Sequence, residues 1–327
     1  MGIVRIAIDV ESGDFGPEVV ISGVLEASKV SSFPFTPVLC GDRSKIEDIV
    51  NRSKKGKALI QNSEIVHCSE RILPGDKRAS VWKKRAGSSI IRSITLQKEG
   101  IVDASVSAGD TAILLGAALF ILGRSEGTLR PALAAFLPTV KKKPVLLLDV
   151  GANLNCRSEH LVSFATLGVE YVKRFCGISL PVIALLNVGT ELVKGTRVVG
   201  EAGENLRKKF SNYIGFVEGN GILTGNADVV VCDGFVGNAL LKSYESFYAL
   251  AESMLDTDQK LLQKIKNHIS ALDPENYGAV PFLGIKGTVL KAHGGSSPRA
   301  IANAILTAIT AVNKNAVWTR NVRPKGI

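Results

Sequence analysis

The chain has 327 residues, a net charge of +10, 46% apolar and 21% charged residues, and 32 glycines against 12 prolines. That length accommodates one large α/β unit or two lobes and is far beyond a peptide hormone, while the composition excludes disorder, collagen and coiled coil. The positive balance favours acidic partners, and an aromatic content of 6%, with no basic stretch interleaved by Phe or Tyr, argues against nucleic acid.

From the N-terminus, short β-branched runs alternate with helix-period segments. The opening MGIVRIAIDV has no charged, apolar and cleavable signal pattern and runs straight into a strand at Arg5–Asp9, which points to a cytoplasmic address. Strands follow at Pro37–Cys40 and Glu64–His67, then a helix at Gly87–Glu99, a strand at Ala104–Ser107 and a helix at Thr111–Leu122. The apolar run Ala112–Gly123 falls short of the ~20 residues of a membrane span. Next come strands at Pro131–Phe136 and Val145–Asp149, a helix at Glu159–Phe175, and strands at Val182–Asn187 and Asp228–Cys232. A helical stretch covers Ala239–Asn267, a strand Thr288–Lys291 and a last helix Pro298–Asn313. This order predicts a parallel sheet wrapped by helices. No linker or repeat divides the chain, so 1–327 reads as a single α/β catalytic unit, with a charged helical segment at about 239–274 projecting from it.

Six strands end in small-residue turns that open helices: Ser12–Asp14, Ala108–Thr111, Gly151–Asn153, Gly189–Thr190, Gly234–Asn238 and His293–Ser297. In an open parallel sheet such turns gather at the carboxyl edge, where helix N-termini offer N–H groups to an anion. Gly109, Asp110, Thr111, Gly237, His293 and Ser296 lie in these turns and form the expected phosphate or substrate lining, with Asn153 and Asn187. Nucleotide, serine-hydrolase and zincin motifs are absent. The five cysteines, Cys40, Cys68, Cys156, Cys176 and Cys232, include no C-x-x-C pair and read as reduced, mostly buried thiols. No metal or cofactor is expected. An anion site without a Ser-His or Cys-His pair suits chemistry in which the anion itself is the nucleophile, as inorganic phosphate can be. The protein then has to orient phosphate and stabilise the oxyanion on the attacked carbonyl. Lys194, Asn187, Asn153, Asn238 and Ser296 are the polar residues that fit those tasks.

The strings IAIDVESGDFGP (6–17), VSAGDT (106–111), RPALAAFLPT (130–139), LLLDVGAN (146–153), LLNVGTELVKG (185–195), DVVVCDGFVGN (228–238) and KAHGGSS (291–297) stand in one order along the chain. Together they resemble the bacterial acyl carrier protein:phosphate acyltransferases of phospholipid synthesis. The resemblance implies an αβα sandwich similar to the isocitrate and isopropylmalate dehydrogenase superfamily, a homodimer, and no metal or nucleotide. It implies conversion of acyl carrier protein thioester and inorganic phosphate into acyl phosphate and free carrier, which feeds a glycerol-3-phosphate acyltransferase that uses acyl phosphate. The family's catalytic lysine and asparagine fall on Lys194 and Asn238. Departures from the family pattern include Glu11-Ser12-Gly13 in place of a paired glycine, and Asp110 and Ala112 in place of asparagine and glycine. Others are Phe216, Asn220 and Gly221 in a G-N-V-E-x-R-D segment, and Ala279 in a Tyr-Gly-Gly.

Two alternatives share the residues. One is a phosphotransacetylase-like enzyme using acyl coenzyme A; the other is a non-catalytic scaffold for lipid enzymes. The family's carrier protein is acidic, so Lys83, Lys84, Arg85 and Lys141–Lys143 are its expected docking sites. Phe247, Leu250, Met254, Leu261, Leu262, Ile265 and Ile269 recur at helical spacing beside lysines, the pattern of peripheral membrane contact. Asp110 directly precedes an apolar helix and is expected to cap it rather than to face an anion.

Overall fold

The strands read from the sequence fall into two units, Met1–Ser125 with Tyr277–Ile327, and Glu126–Asn276. The structure, a computed structural model, describes residues 2–52, 54–72, 81–191, 193–254 and 274–315. No linker is visible in the sequence because the second unit is inserted into the first.

The first unit opens with β1 (Val4–Asp9), α1 (Pro17–Val30), β2 (Phe35–Gly41), α2 (Arg43–Asn51), α3 (Lys54–Gln61) and β3 (Glu64–His67). It continues through α4 (Val81–Lys84), α5 (Ser89–Glu99), β4 (Ala104–Ser107) and α6 (Thr111–Ile121). The second unit contains β5 (Ala132–Leu137), β6 (Val145–Leu148), α7 (Ser158–Cys176), β7 (Ile183–Leu186), α8 (Arg197–Lys209), β8 (Tyr213–Val217), α9 (Gly219–Ile222), β9 (Val229–Val231) and α10 (Gly234–Met254). After α11 (Pro274–Tyr277) the chain returns to the first unit as β10 (Ala279–Leu283), β11 (Thr288–Ala292) and α12 (Pro298–Asn313).

Strand order is β3-β2-β1-β4-β11-β10 in the first unit and β5-β6-β9-β7-β8 in the second. β3, β2, β1, β4 and β11 run parallel, as do β6, β9, β7 and β8. Two pairs depart from the all-parallel expectation: β10 with β11, and β5 with β6, are antiparallel. The central strands are buried along their whole length, Leu146–Leu148, Ile183–Leu186 and Val229–Val231 among them, because helices cover both faces of a parallel sheet. In the first unit α1 packs on α12 so closely that a methyl group on Gly23 would lie 2.5 Å from Ile301 Cβ.

β8 and β10 are absent from the sequence reading, and each carries a residue that argues against a strand. Gly215 adopts φ +98° in β8, beside a register shift in its pairing with β7. β10 contains Pro281, which has no N–H to donate to a ladder and so argues against a strand, although β10 pairs antiparallel with β11. The projecting segment expected at about 239–274 is described only as far as Met254 within α10; its remainder, including Leu261, Leu262, Ile265 and Ile269, lies outside the described residues. Among the described residues no helix is long and apolar enough to cross a membrane.

The five cysteines form no disulfide with one another; Cys40, Cys68 and Cys232 are buried, Cys156 partly covered and Cys176 exposed. Burial pushes the Cys68 and Cys156 thiols up to about 12 and those of Cys40 and Cys232 well above the ordinary range. Titration of the native protein with a thiol reagent near pH 8 is therefore expected to give one fast equivalent, from Cys176, and the other four only on unfolding. Two or more fast equivalents would contradict this packing.

Candidate active site

At the carboxyl edge of the first sheet, β1, β4 and β11 lie side by side and deliver three turns. Asp9 closes β1 and is fully buried; its carboxylate accepts hydrogen bonds from Ser107 Oγ at 2.6 Å and from the Ser12 backbone N–H at 3.3 Å. Burial raises its pKa, and the hydrogen bonds from Ser107, Ser12 and Ser89 oppose that rise. Ser107 Oγ in turn accepts the Gly109 N–H at 3.0 Å. The Asp14 N–H donates to the Gly294 carbonyl at 2.8 Å and so ties the first turn to the third.

Asp110 caps α6, its Oδ1 accepting the N–H groups of Ala112 and Ile113 at 2.9 and 3.0 Å. The cap answers the question this residue raised: its charge is directed to the helix dipole. It also occupies N–H groups that an anion at Gly109–Thr111 would need. Asp110→Asn is expected to keep the cap and leave the phosphate KM within a few-fold of the parent. Asp110→Ala should cost about 1 kcal/mol in urea unfolding. A hundredfold KM change in the asparagine variant would mean that the carboxylate serves the site directly.

His293 Nδ1 accepts the Gly295 N–H at 3.1 Å, which makes the neutral ring the Nε2–H tautomer. Ser296 is 6% exposed, and its Oγ has no hydrogen-bond partner among the described residues. A cavity of about 310 Å³ opens nearby, bordered by Ser12, Ser88, Ser89, Gly109, Asp110 and Ile113. Glu11, one of the departures, pairs with Arg71 at 2.5 Å on the cavity wall.

In the second unit the register Leu148↔Val231 and Leu185↔Val231 brings the ends of β6, β9 and β7 together. Their centre is Asp149, with no exposed surface. Its carboxylate accepts the backbone N–H groups of Leu133, Gly151, Ala152 and Asn153 at 2.7 to 3.2 Å and the Asn153 side-chain amide at 2.8 Å. Burial raises the Asp149 pKa against those bonds. The Asn153 amide also donates to the Pro131 carbonyl at 2.7 Å, so both its hydrogens hold the loop together and neither faces outward.

Asp233 caps α10 through the N–H groups of Phe235 and Val236 at 3.0 and 2.9 Å. Gly234 N–H donates to the Asn153 carbonyl and Gly237 N–H to the Asp233 carbonyl. The first turn of α10 is thus internally satisfied and offers fewer open donors than its glycines suggest. Gly237 is required by contact: a methyl group there would lie 1.9 Å from the Asp149 carbonyl oxygen. One residue on, Asn238 is exposed beside Gly151, whose own methyl position would lie 3.7 Å from Asn238 Oδ1.

Between β7 and α8, the Asn187 amide donates to the Lys194 carbonyl at 2.9 Å, and its oxygen accepts the Val188 N–H. Asn187 therefore shapes the loop that presents Lys194. Lys194 is exposed and its ammonium pairs with Glu191 at 2.7 Å, which raises the lysine pKa. Beside these polar groups stand exposed apolar side chains, Val188, Val193 at 95% and Phe235 at 67% exposure.

The structure thus brings Lys194 with Asn187, and Asn238 with Gly151 and Gly237, onto neighbouring loops of one sheet edge. It brings Asp110 with Gly109, and His293 with Ser296, onto the edge of the other sheet. The aspartates that end strands, Asp9, Asp149 and Asp233, are missing from the residues picked out by sequence. Their signal is the repeated Asp directly after an apolar run. Among the described residues no group of three or more His, Cys, Asp or Glu is arranged to hold a metal ion.

The family model described as "Fatty acid synthesis protein" matches residues 4–319. A phosphate acyltransferase of Campylobacter fetus is 38% identical over 319 residues, covering 94% of each chain. Among solved structures, a phosphotransacetylase from Streptococcus pyogenes superposes with TM-score 0.62 at 18% identity, over 96% of this chain and 94% of its own. A 4-hydroxythreonine-4-phosphate dehydrogenase from Klebsiella pneumoniae superposes with TM-score 0.54 at 16% identity, over 95% of this chain and 97% of its own. These two share the αβα fold of this chain. With a near-complete family match and this identity across the whole length, the chain belongs to the phosphate acyltransferase family.

Proposed function

We propose that this chain transfers an acyl group from the thioester of acyl carrier protein to inorganic phosphate. A phosphate oxygen attacks the thioester carbonyl carbon, an oxyanion forms, and the C–S bond breaks; the products are acyl phosphate and the carrier's free thiol. The observation that carries the reading is that β7 and β9 pair side by side, so the β7–α8 loop with Lys194 and the start of α10 with Asn238 follow neighbouring strands of one sheet. Lys194 neutralises phosphate or the forming oxyanion, and the Asn238 amide donates to the carbonyl oxygen. Asp149 and Asn187 are positioning residues: they shape the loops and touch no reacting atom. Val188, Val193 and Phe235 give the polar pair an apolar border, which suits an acyl tail.

The acidic carrier is proposed to dock on Lys83, Lys84 and Arg85. Lys143 is less suited to docking, since it pairs with the buried carboxylate of Asp228 at 2.8 Å. The exposed Phe247 and Leu250 of α10 suit a homodimer contact or a peripheral membrane contact.

The test is thioester consumption. Phosphate-dependent loss of acyl carrier protein thioester, with acyl coenzyme A left intact, is the expected result. Consumption of acyl coenzyme A alone would shift the reading to a phosphotransacetylase-like enzyme. Consumption of neither would leave a scaffold for lipid enzymes.

A further inference from the structure

The loop between β7 and α8 holds Lys194 in an unusual way for a surface lysine. Its backbone is fixed at both polar groups: the N–H donates to the Glu191 carbonyl at 3.1 Å, and the carbonyl accepts from Asn187 Nδ2 at 2.9 Å. Its side chain lies down along the loop. A methyl group on Gly189 would meet Lys194 Cδ at 2.5 Å, Nζ at 3.2 Å and Glu191 Oε2 at 2.8 Å. The bare Cα of Gly189 is thus the floor under both side chains, and the ammonium ends 2.7 Å from Glu191 Oε1. Glu218, at the N-terminus of α9, is a second carboxylate acting on the same ammonium.

An ordinary exposed ion pair of this spacing contributes little to stability and is made and broken freely. Here the backbone contacts and the glycine floor narrow the space the lysine can sample, so the pair defines where the ammonium waits. We propose that Glu191 is a positioning residue that clasps Lys194 and must release it when phosphate arrives. The inference rests on the reading that Lys194 serves phosphate.

Two consequences follow from charge. A carboxylate this close to the ammonium competes with any anion for it, so Glu191 weakens phosphate binding. Water carries no charge and does not draw the ammonium away from Glu191. The clasp therefore reserves Lys194 for a charged nucleophile, and Glu191 becomes a residue that sets nucleophile specificity. Its removal should be felt mainly in the phosphate KM.

The experiment measures phosphate kinetics with acyl carrier protein thioester for the parent, Glu191→Gln, Glu191→Asp and Lys194→Ala, each checked for an unchanged melting temperature. Glu191→Gln is expected to lower the phosphate KM about three- to fivefold, with the gain in kcat/KM arising in KM. Glu191→Asp retains the charge and is expected to keep a KM near the parent's. An unchanged or raised KM in the glutamine variant, beside an inactive Lys194→Ala, would overturn the clasp and leave the reading of Lys194 standing. An active Lys194→Ala would overturn both.

Discussion

Lys194→Ala is expected to reduce turnover by about 10²–10³-fold, the usual effect of removing one donor or charge from a developing oxyanion. The fold should be indifferent to the change. The Lys194 side chain is exposed and its partner Glu191 is a surface carboxylate, so little stability is at stake. The contacts that shape the loop run through the Lys194 backbone, to the Glu191 carbonyl and from the Asn187 amide, and alanine keeps them. The urea midpoint of the variant should therefore stay close to the parent's while activity collapses. Near-normal turnover, or activity lost in proportion to stability, would remove Lys194 from the chemistry.

Asp149→Ala carries the largest expected effect on stability. Its carboxylate accepts four backbone N–H groups and one side-chain amide in a fully buried position. Alanine leaves those donors without an acceptor, and each buried unsatisfied donor costs about 1–3 kcal/mol. Even with local relaxation, a loss of about 4 kcal/mol or more is expected, a large part of the roughly 5–15 kcal/mol of a typical domain. The damage should reach the site, because the Asp149 carbonyl oxygen abuts Gly237 and so fixes the start of α10, where Asn238 stands. Asp149→Asn keeps one acceptor oxygen and should lose less. A loss under about 1 kcal/mol in the alanine variant would show that the donors find other partners and that the network does not hold the loops.

The two variants separate what the sequence carries from what only the fold reveals. Buried parallel strands such as Val229–Val231 are legible because both faces are apolar, and the helices after them because small residues and caps mark their starts. β8 and β10 are illegible for local reasons, Gly215 in one and Pro281 in the other, and their pairing is decided by distant strands. The candidate site divides in the same way. Lys194 and Asn238 stand in motifs whose order along the chain is visible. The direction of an amide is not: Asn153 and Asn187 look like ligand donors in sequence, yet the Asn153 amide bonds the Pro131 carbonyl and the Asp149 carboxylate, and the Asn187 amide bonds the Lys194 carbonyl. Asp9, Asp149 and Asp233 show the reverse. Each looks like a turn residue, and only the packing of neighbouring strands makes Asp149 the centre of its site.

The measurement that bears most directly on the proposed activity is mass-spectrometric detection of acyl phosphate from the purified protein, acyl carrier protein thioester and inorganic phosphate. Acyl phosphate and free carrier should appear together, in proportion to enzyme and only when phosphate is present, and Lys194→Ala should form neither at a comparable rate. Intact thioester after prolonged incubation of well-folded protein, or release of free carrier without acyl phosphate, would contradict the account.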